Sequence, residues 1–263
     1  MRVRYVVSAA AGFSALCFGV VTSAQADGHG RYNWTGFYAG GHAGFAKSSS
    51  DMDNFDFVPT ANLPAAAQPV GVEPKANGFF GGGQLGYNQQ FNNWVAGLEL
   101  SYSGANLDDT SRPSNYAPLT SNIRDDDWST DINSVFQAVA RLGFAWDNVL
   151  LYGKVGYASA NVKMTGLDTG TAGGGFNQPG TTFRGNNKRH HGYVLGTGLE
   201  YAFMKNVIIG IDYSYINLKS KNHFGLRHQP NGAASVTGRG MTADIDPNIH
   251  AVTGRISYKF NSQ

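Results

Sequence analysis

Four of the seven histidines fall between residues 190 and 228: His190 and His191 side by side, then His223 and His228. Imidazoles at that density invite a transition metal or a haem iron. Adjacent residues of an extended strand face opposite ways, so His190 and His191 cannot chelate together from a regular strand. No H-E-x-x-H pattern accompanies them, and the single cysteine, Cys17, lies far upstream. We therefore assign no metal, while contact with haemin by loop histidines stays open. Gly81, Gly83 and Gly86 spell a formal G-x-G-x-x-G with Glu99 downstream, but a dinucleotide cradle needs a helix to follow it. Here Phe79 to Gln90 keeps a two-residue alternation, so we read the glycines as close packing in a curved strand, with no cofactor. Arg124-Asp-Asp-Asp127 lacks the spaced acids and closing glutamate of a calcium loop. Ser159, Ser214 and His250 could serve acyl transfer, yet no spacing ties serine, histidine and acid together, so no catalytic residue is assigned. Six other charges, Glu99, Arg141, Lys154, Glu200, Asp212 and Arg255, interrupt otherwise apolar segments. What they do depends on the elements that carry them.

Those elements are strands. From Asn248 to Phe260, Val252, Gly254, Ile256, Tyr258 and Phe260 fall on one face, and Thr253, Arg255, Ser257 and Lys259 on the other. The same alternation marks rising strands at 36–46, 94–103, 149–160 and 207–217. Falling strands lie at 78–90, 131–146, 190–203 and 248–260. Short connections at Phe91 to Asn93, Asp147-Asn148 and Met204 to Asn206 alternate with long ones at 47–77, 104–130, 161–189 and 218–247. All nine prolines fall outside these strands, as a hydrogen-bonded ladder requires. The apolar faces, among them Phe37 and Phe45, Leu98 and Leu100, and Ile132, Phe136, Leu142 and Trp146, would turn to lipid. Trp94, Trp146, Tyr201, Phe203, Tyr258 and Phe260 gather at the turn end, where amphipathic rings favour a membrane interface. The pattern predicts an all-β fold: an eight-stranded antiparallel up-and-down transmembrane β-barrel with long extracellular loops and short periplasmic turns.

On that frame the six charges project inward at one height, about 12 Å above the turns. Three cations face three anions, with His42 and Gln84 at similar depth on the first two strands. A barrel of eight strands is only wide enough to be filled by its own side chains, and unpaired charge there would be costly. The six are therefore expected to neutralise one another across adjacent strands of a polar lumen, as a plug; a gated ion path is the alternative.

Arg2 and Arg4 precede an apolar run to Val21 and an Ala24-Gln-Ala26 cleavage pattern, which reads as a signal peptide over 1–26. Leu16 before Cys17 argues against a lipoprotein signal. Losing Arg2 and Arg4 from twenty basic residues balances eighteen acidic ones, so charge points to no nucleic-acid partner. A mean hydropathy of −0.28 looks soluble and misleads, because only alternate residues of a barrel strand meet lipid. Lys188, Arg189, Lys219, Lys221, Arg227 and Arg239 fall where strands should meet the outer leaflet, and are candidate contacts for lipopolysaccharide phosphates.

The opening Trp34-Thr-Gly-Phe-Tyr-Ala-Gly-Gly-His-Ala-Gly44, the run Gly81-Gly-Gly-Gln-Leu-Gly-Tyr-Asn88, Asn93-Trp-Val-Ala-Gly-Leu-Glu99 and the ending Tyr258-Lys-Phe260 carry a resemblance. The chain resembles the small porin-like outer-membrane proteins of alphaproteobacteria, often called outer-membrane immunogenic proteins. The resemblance covers the strands and not the loops. It implies an OmpA-like barrel, surface exposure and a mainly structural role, some relatives being adhesins or haemin binders. It also implies that Tyr258 and Phe260 form the terminal signal read by the barrel-assembly machinery, although Asn261, Ser262 and Gln263 follow. The expected layout is a signal peptide (1–26), a short periplasmic segment (27–35), the barrel (36–260) and a tail (261–263). The expected function is a structural outer-membrane protein, not an enzyme, supporting envelope integrity and surface contact. Its partners would be outer-membrane lipid and lipopolysaccharide, the assembly machinery, and host surface molecules or haemin. A surface adhesin or haemin-binding protein is one alternative; a lipid-modifying enzyme is the other.

Overall fold

A computed structural model describes residues 32–58, 75–111, 126–168, 182–228 and 240–260. The regular structure there is entirely extended: β1 (Gly36–Val58), β2 (Lys75–Phe91), β3 (Trp94–Ser111), β4 (Asp126–Trp146), β5 (Val149–Asp168), β6 (Thr182–Gly185), β7 (Lys188–Ala202), β8 (Val207–Leu218), β9 (Lys221–His228) and β10 (Gly240–Lys259). Every pairing is antiparallel, and β1 against β10 closes the sheet on itself. Asn92 and Asp147 adopt φ of 54° and 51°, a left-handed conformation that short polar side chains tolerate. They turn β2 into β3 and β4 into β5 within two residues. Between β7 and β8, Phe203 N donates to Val207 O at 2.9 Å.

Ten segments make an eight-membered ring at two levels. Near the turns the ring is β1-β2-β3-β4-β5-β7-β8-β10; towards the loops β6 and β9 take the places of β7 and β8. The segments β6 and β7 are one strand interrupted at Asn186-Asn187, and β8 and β9 one strand interrupted at Lys219-Ser220. Lys188 Nζ to Asn222 O and Lys221 Nζ to Arg189 O, both 2.6 Å, suture the interruption, with Lys219 N on His191 O at 2.9 Å. The eight expected strands are thus present, and most run further than expected. β1 reaches Val58 and β5 reaches Asp168 because the backbone ladder continues into polar sequence after the apolar face ends.

Two expectations about these strands are corrected. Pro247 lies inside β10, opposite Ser50 of β1. On its other side the ladder to β9 stops at Ile245 and that to β8 starts at Asn248, so its missing N–H falls in the gap. Ile132 faces inward and is fully buried, because a bulge at Asn133 inserts one residue and switches which side chains of β4 face lipid. Elsewhere the outward faces carry the expected apolar residues, with Phe45 75 % exposed and Leu98 68 % exposed. Tyr258 packs edge-on against Phe260, and Trp94 against Phe144, at the turn end.

Candidate functional site: the barrel lumen

Alternation aims one residue in two at the axis, and a sheet this narrow brings opposite walls within side-chain reach. The six charges meet there, all buried. Arg141 of β4 reaches Glu99 of β3 at 3.0 Å and Glu200 of β7 at 2.8 Å. Arg255 of β10 pairs with Glu99, with Glu200 at 3.3 Å and with Asp212 at 3.7 Å. Lys154 of β5 holds Asp212 of β8 at 2.6 Å. The expected neutralisation between adjacent strands is therefore corrected in its geometry. Only Arg141–Glu99 and Arg255–Asp212 join neighbours, and the rest reach past intervening strands or across the lumen, because long arginines span a bore that short carboxylates cannot.

Two tyrosines complete the network. The Tyr38 hydroxyl donates to Glu99 Oε2 at 2.7 Å and accepts from Arg141. Tyr152 donates to Asp212 Oδ2 at 2.7 Å, accepts from Arg255 Nη1 at 2.9 Å, and lies with its ring 3.8 Å from the Arg141 guanidinium carbon. Gly86 and Gly198 make room for them: a Cβ at either would overlap the Tyr38 or Tyr152 ring. Gly86 ends the formal glycine motif, so that motif seats an aromatic ring rather than a phosphate. Above the charges His42 bridges Gln84 Oε1 (2.7 Å) and Ser103 Oγ (2.8 Å). A cavity of about 20 Å³ between these groups has room for a single water.

The lumen is not polar throughout, which corrects the expectation. Below the network, Trp34 is fully buried among Val95, Ala145, Leu150, Tyr152 and Ile208. Its backbone N–H donates to Gln90 Oε1 at 2.8 Å, and Lys259 sits over the ring of Tyr32, which packs edge-on against Trp34. The segment before β1 thus turns back into the mouth. Above the network, Phe80, Val135, Val162, Ile216, Leu218 and Ile249 form a buried apolar layer. Sequence reasoning missed Trp34, which precedes the first strand, and also Tyr38 and Tyr152, although these two share their parity with the inward His42 and Lys154 of the same strands.

The remaining candidates are scattered. His190 and His223 are buried against each other, Nε2 to Nε2 at 2.8 Å, whereas His191 faces outward beneath the hydroxyl of Tyr157. His228 is half-buried on β9. Among the described residues no three of His, Cys, Asp and Glu come together as a metal would need. Ser214 points inward to Asp212, and His250 outward to Tyr213, so the wall separates them. Lys188 and Lys221 are engaged in the suture, Lys219 and Arg189 are exposed, and Arg227 lies opposite Phe183 in the β6–β9 ladder. Arg239, Arg124, the signal segment 1–26 and the tail 261–263 lie outside the described residues. Phe260 N donates to Phe37 O at 2.8 Å, tying the strand end to β1, while the rings of Tyr258 and Phe260 stay half-exposed on the lipid side.

Residues 13–260 match the family model described as outer membrane protein beta-barrel domain. The chain belongs to this family. The outer-membrane barrel is similar to the 31 kDa outer-membrane immunogenic protein of Brucella melitensis, 26 % identical over 87 % of this chain and 85 % of that one. It is also similar to the 22 kDa outer membrane protein of Rhizobium leguminosarum bv. viciae, 25 % identical over 73 % and 67 %. Among solved structures, OprG of Pseudomonas aeruginosa shares the fold, with a TM-score of 0.51 at 14 % identity over 88 % of this chain and 99 % of that one. The resemblance read from the strand motifs holds, and so does the location in the cell outer membrane. These relatives are named as outer-membrane and immunogenic proteins, not as enzymes.

Proposed function

We propose that this outer-membrane barrel is a structural envelope protein with a closed lumen, presenting its long loops at the surface and carrying out no catalysis. The observation that supports the reading is the six-charge network, in which every cation is held by at least one carboxylate and tyrosine hydroxyls take up remaining lone pairs. A conducting lumen needs a continuous water column, and here charge is spent on charge. Serine, histidine and acid do not converge, which weighs against lipid modification. The mutual bond of His190 and His223 withdraws two histidines from haemin, so haemin or host contact would fall to the loops. Lys219 and Arg189 remain available to lipopolysaccharide, and Tyr258 with Phe260 to the assembly machinery.

Single-channel recording in planar bilayers tests the reading. Purified protein is expected to show little conductance. A large, steady conductance that is indifferent to sign reversal at Glu99, Glu200 and Asp212 would replace the closed barrel with a porin.

A further inference from the structure

The outer wall carries a groove that closure of the lumen does not use. It spans β3, β4, β5 and β7 in three rows fixed by register. Leu100, Ala138, Tyr157 and Tyr193 form the lowest row, Tyr102, Phe136, Ser159 and His191 the middle one, and Gly104, Ser134, Asn161 and Arg189 the highest. Small residues lie between large ones, leaving an open groove of about 280 Å³ with Ser159 in its floor and Tyr102, Phe136 and Tyr157 as walls. The rows run from apolar to cationic. Ser159 stands ten residues above Val149 at the turn, which at about 2.5 Å of height per tilted residue puts it about 25 Å up. That is the upper edge of the apolar band, where outer-leaflet headgroups begin.

The polar end is arranged for an anion. Arg189 is exposed, and among the described residues no carboxylate pairs with it; its Nε donates to Asn161 Oδ1 at 3.4 Å, and Asn161 Nδ2 donates to Ser134 Oγ at 3.2 Å. The Tyr157 hydroxyl is hydrogen-bonded to His191 Nδ1, and in the tautomer that carries its proton on Nε2 the His191 ring offers a second donor beside the guanidinium. We infer that this groove holds one phosphorylated glycolipid of the outer leaflet, its phosphate on Arg189 and His191 and an acyl chain along Tyr102, Phe136 and Tyr157. Charge complementarity and depth select the occupant: a chain without a phosphate leaves Arg189 unmatched, and a free phosphate leaves the aromatic walls unfilled. The inference rests on the outer-membrane location and not on the closed lumen.

Native mass spectrometry of the refolded full-length protein in detergent tests it, with bisphosphorylated lipid A, the same lipid dephosphorylated, and inorganic phosphate as probes. The expected result is one retained lipid A per barrel, weakened about tenfold by Arg189→Gln, which removes the guanidinium, and similarly by Ser159→Leu, which fills the floor. Both positions face outward, and unchanged heat-shifted mobility on gels identifies folded variants; Asn161→Leu replaces either one that fails to fold. The dephosphorylated lipid should bind less tightly, and excess inorganic phosphate should not displace lipid A. Equal retention by wild type and variants, equal retention of the dephosphorylated lipid, or displacement by phosphate alone would each overturn the assignment.

Discussion

Tyr152 serves three charges at once: its hydroxyl joins Asp212 to Arg255, and its ring covers Arg141. Tyr152→Phe keeps the ring and leaves Asp212 with Lys154 and Ser214, so it should cost about 1–2 kcal/mol. Arg141→Ala instead takes one of two cations from both Glu99 and Glu200, leaving each with Arg255 alone in the buried network, and should cost about 3–5 kcal/mol; urea unfolding in lipid vesicles ranks the two. The six charges were legible because each breaks an apolar alternation. The tyrosines were not, since an aromatic on a barrel strand reads as lipid-facing until its parity is compared with that of His42 or Lys154. A different sensitivity sits in the extracellular extension, where burial, then the neighbouring His190, Lys188 and Lys221, lower the His223 pKa from 6.5 to about 4. A depressed value means that the folded state resists protonation, so stability is full above pH 6.5 and is lost as pH falls towards 4. Amide exchange in β9 should accelerate over that window, and His223→Gln should flatten the response.

At the scale of elements, the suture between β6–β9 and β7–β8 explains why parts of the sequence misled. Asn186-Asn187 and Lys219-Ser220 look like loop, and so does a proline at 247, yet the ladder resumes beyond each. Register shifts of this kind depend on which strand lies alongside, and no single segment carries that information. Lys47 and Lys163, read from sequence as loop residues, are paired within β1 and β5. Trypsin applied to intact cells should therefore leave both uncut, together with Lys205 in the periplasmic turn; a fragment ending at Lys205 would reverse the topology. At the end of β10 the exposed rings of Tyr258 and Phe260 are offered to the membrane side. Phe260→Ala should lower the yield of assembled barrel in outer-membrane fractions while the purified chain still refolds in detergent.

As a whole the molecule is obstructed in series: the Trp34 layer, the ion network, then the apolar layer around Ile216 and Leu218. Obstructions in series are not relieved singly, so Arg141→Ala alone should raise conductance little, whereas Trp34→Ala, Arg141→Ala and Ile216→Ser combined should open a measurable path in planar bilayers. The strand count and the charged layer could be read from the chain. The two flanking layers could not, because Trp34 precedes the first strand, Val162 and Leu218 sit in stretches that read as loop, and Phe80, Val135, Ile216 and Ile249 lie on strand faces expected to be polar. Trp34 has a further consequence. It is wholly shielded, while Trp94 and Trp146 are 55 % and 44 % exposed on the lipid side, so brominated acyl chains should quench the emission of those two and spare Trp34. The indoles then keep separate time during refolding, Trp94 and Trp146 recording when the wall meets the bilayer and Trp34 alone when the periplasmic mouth is stoppered.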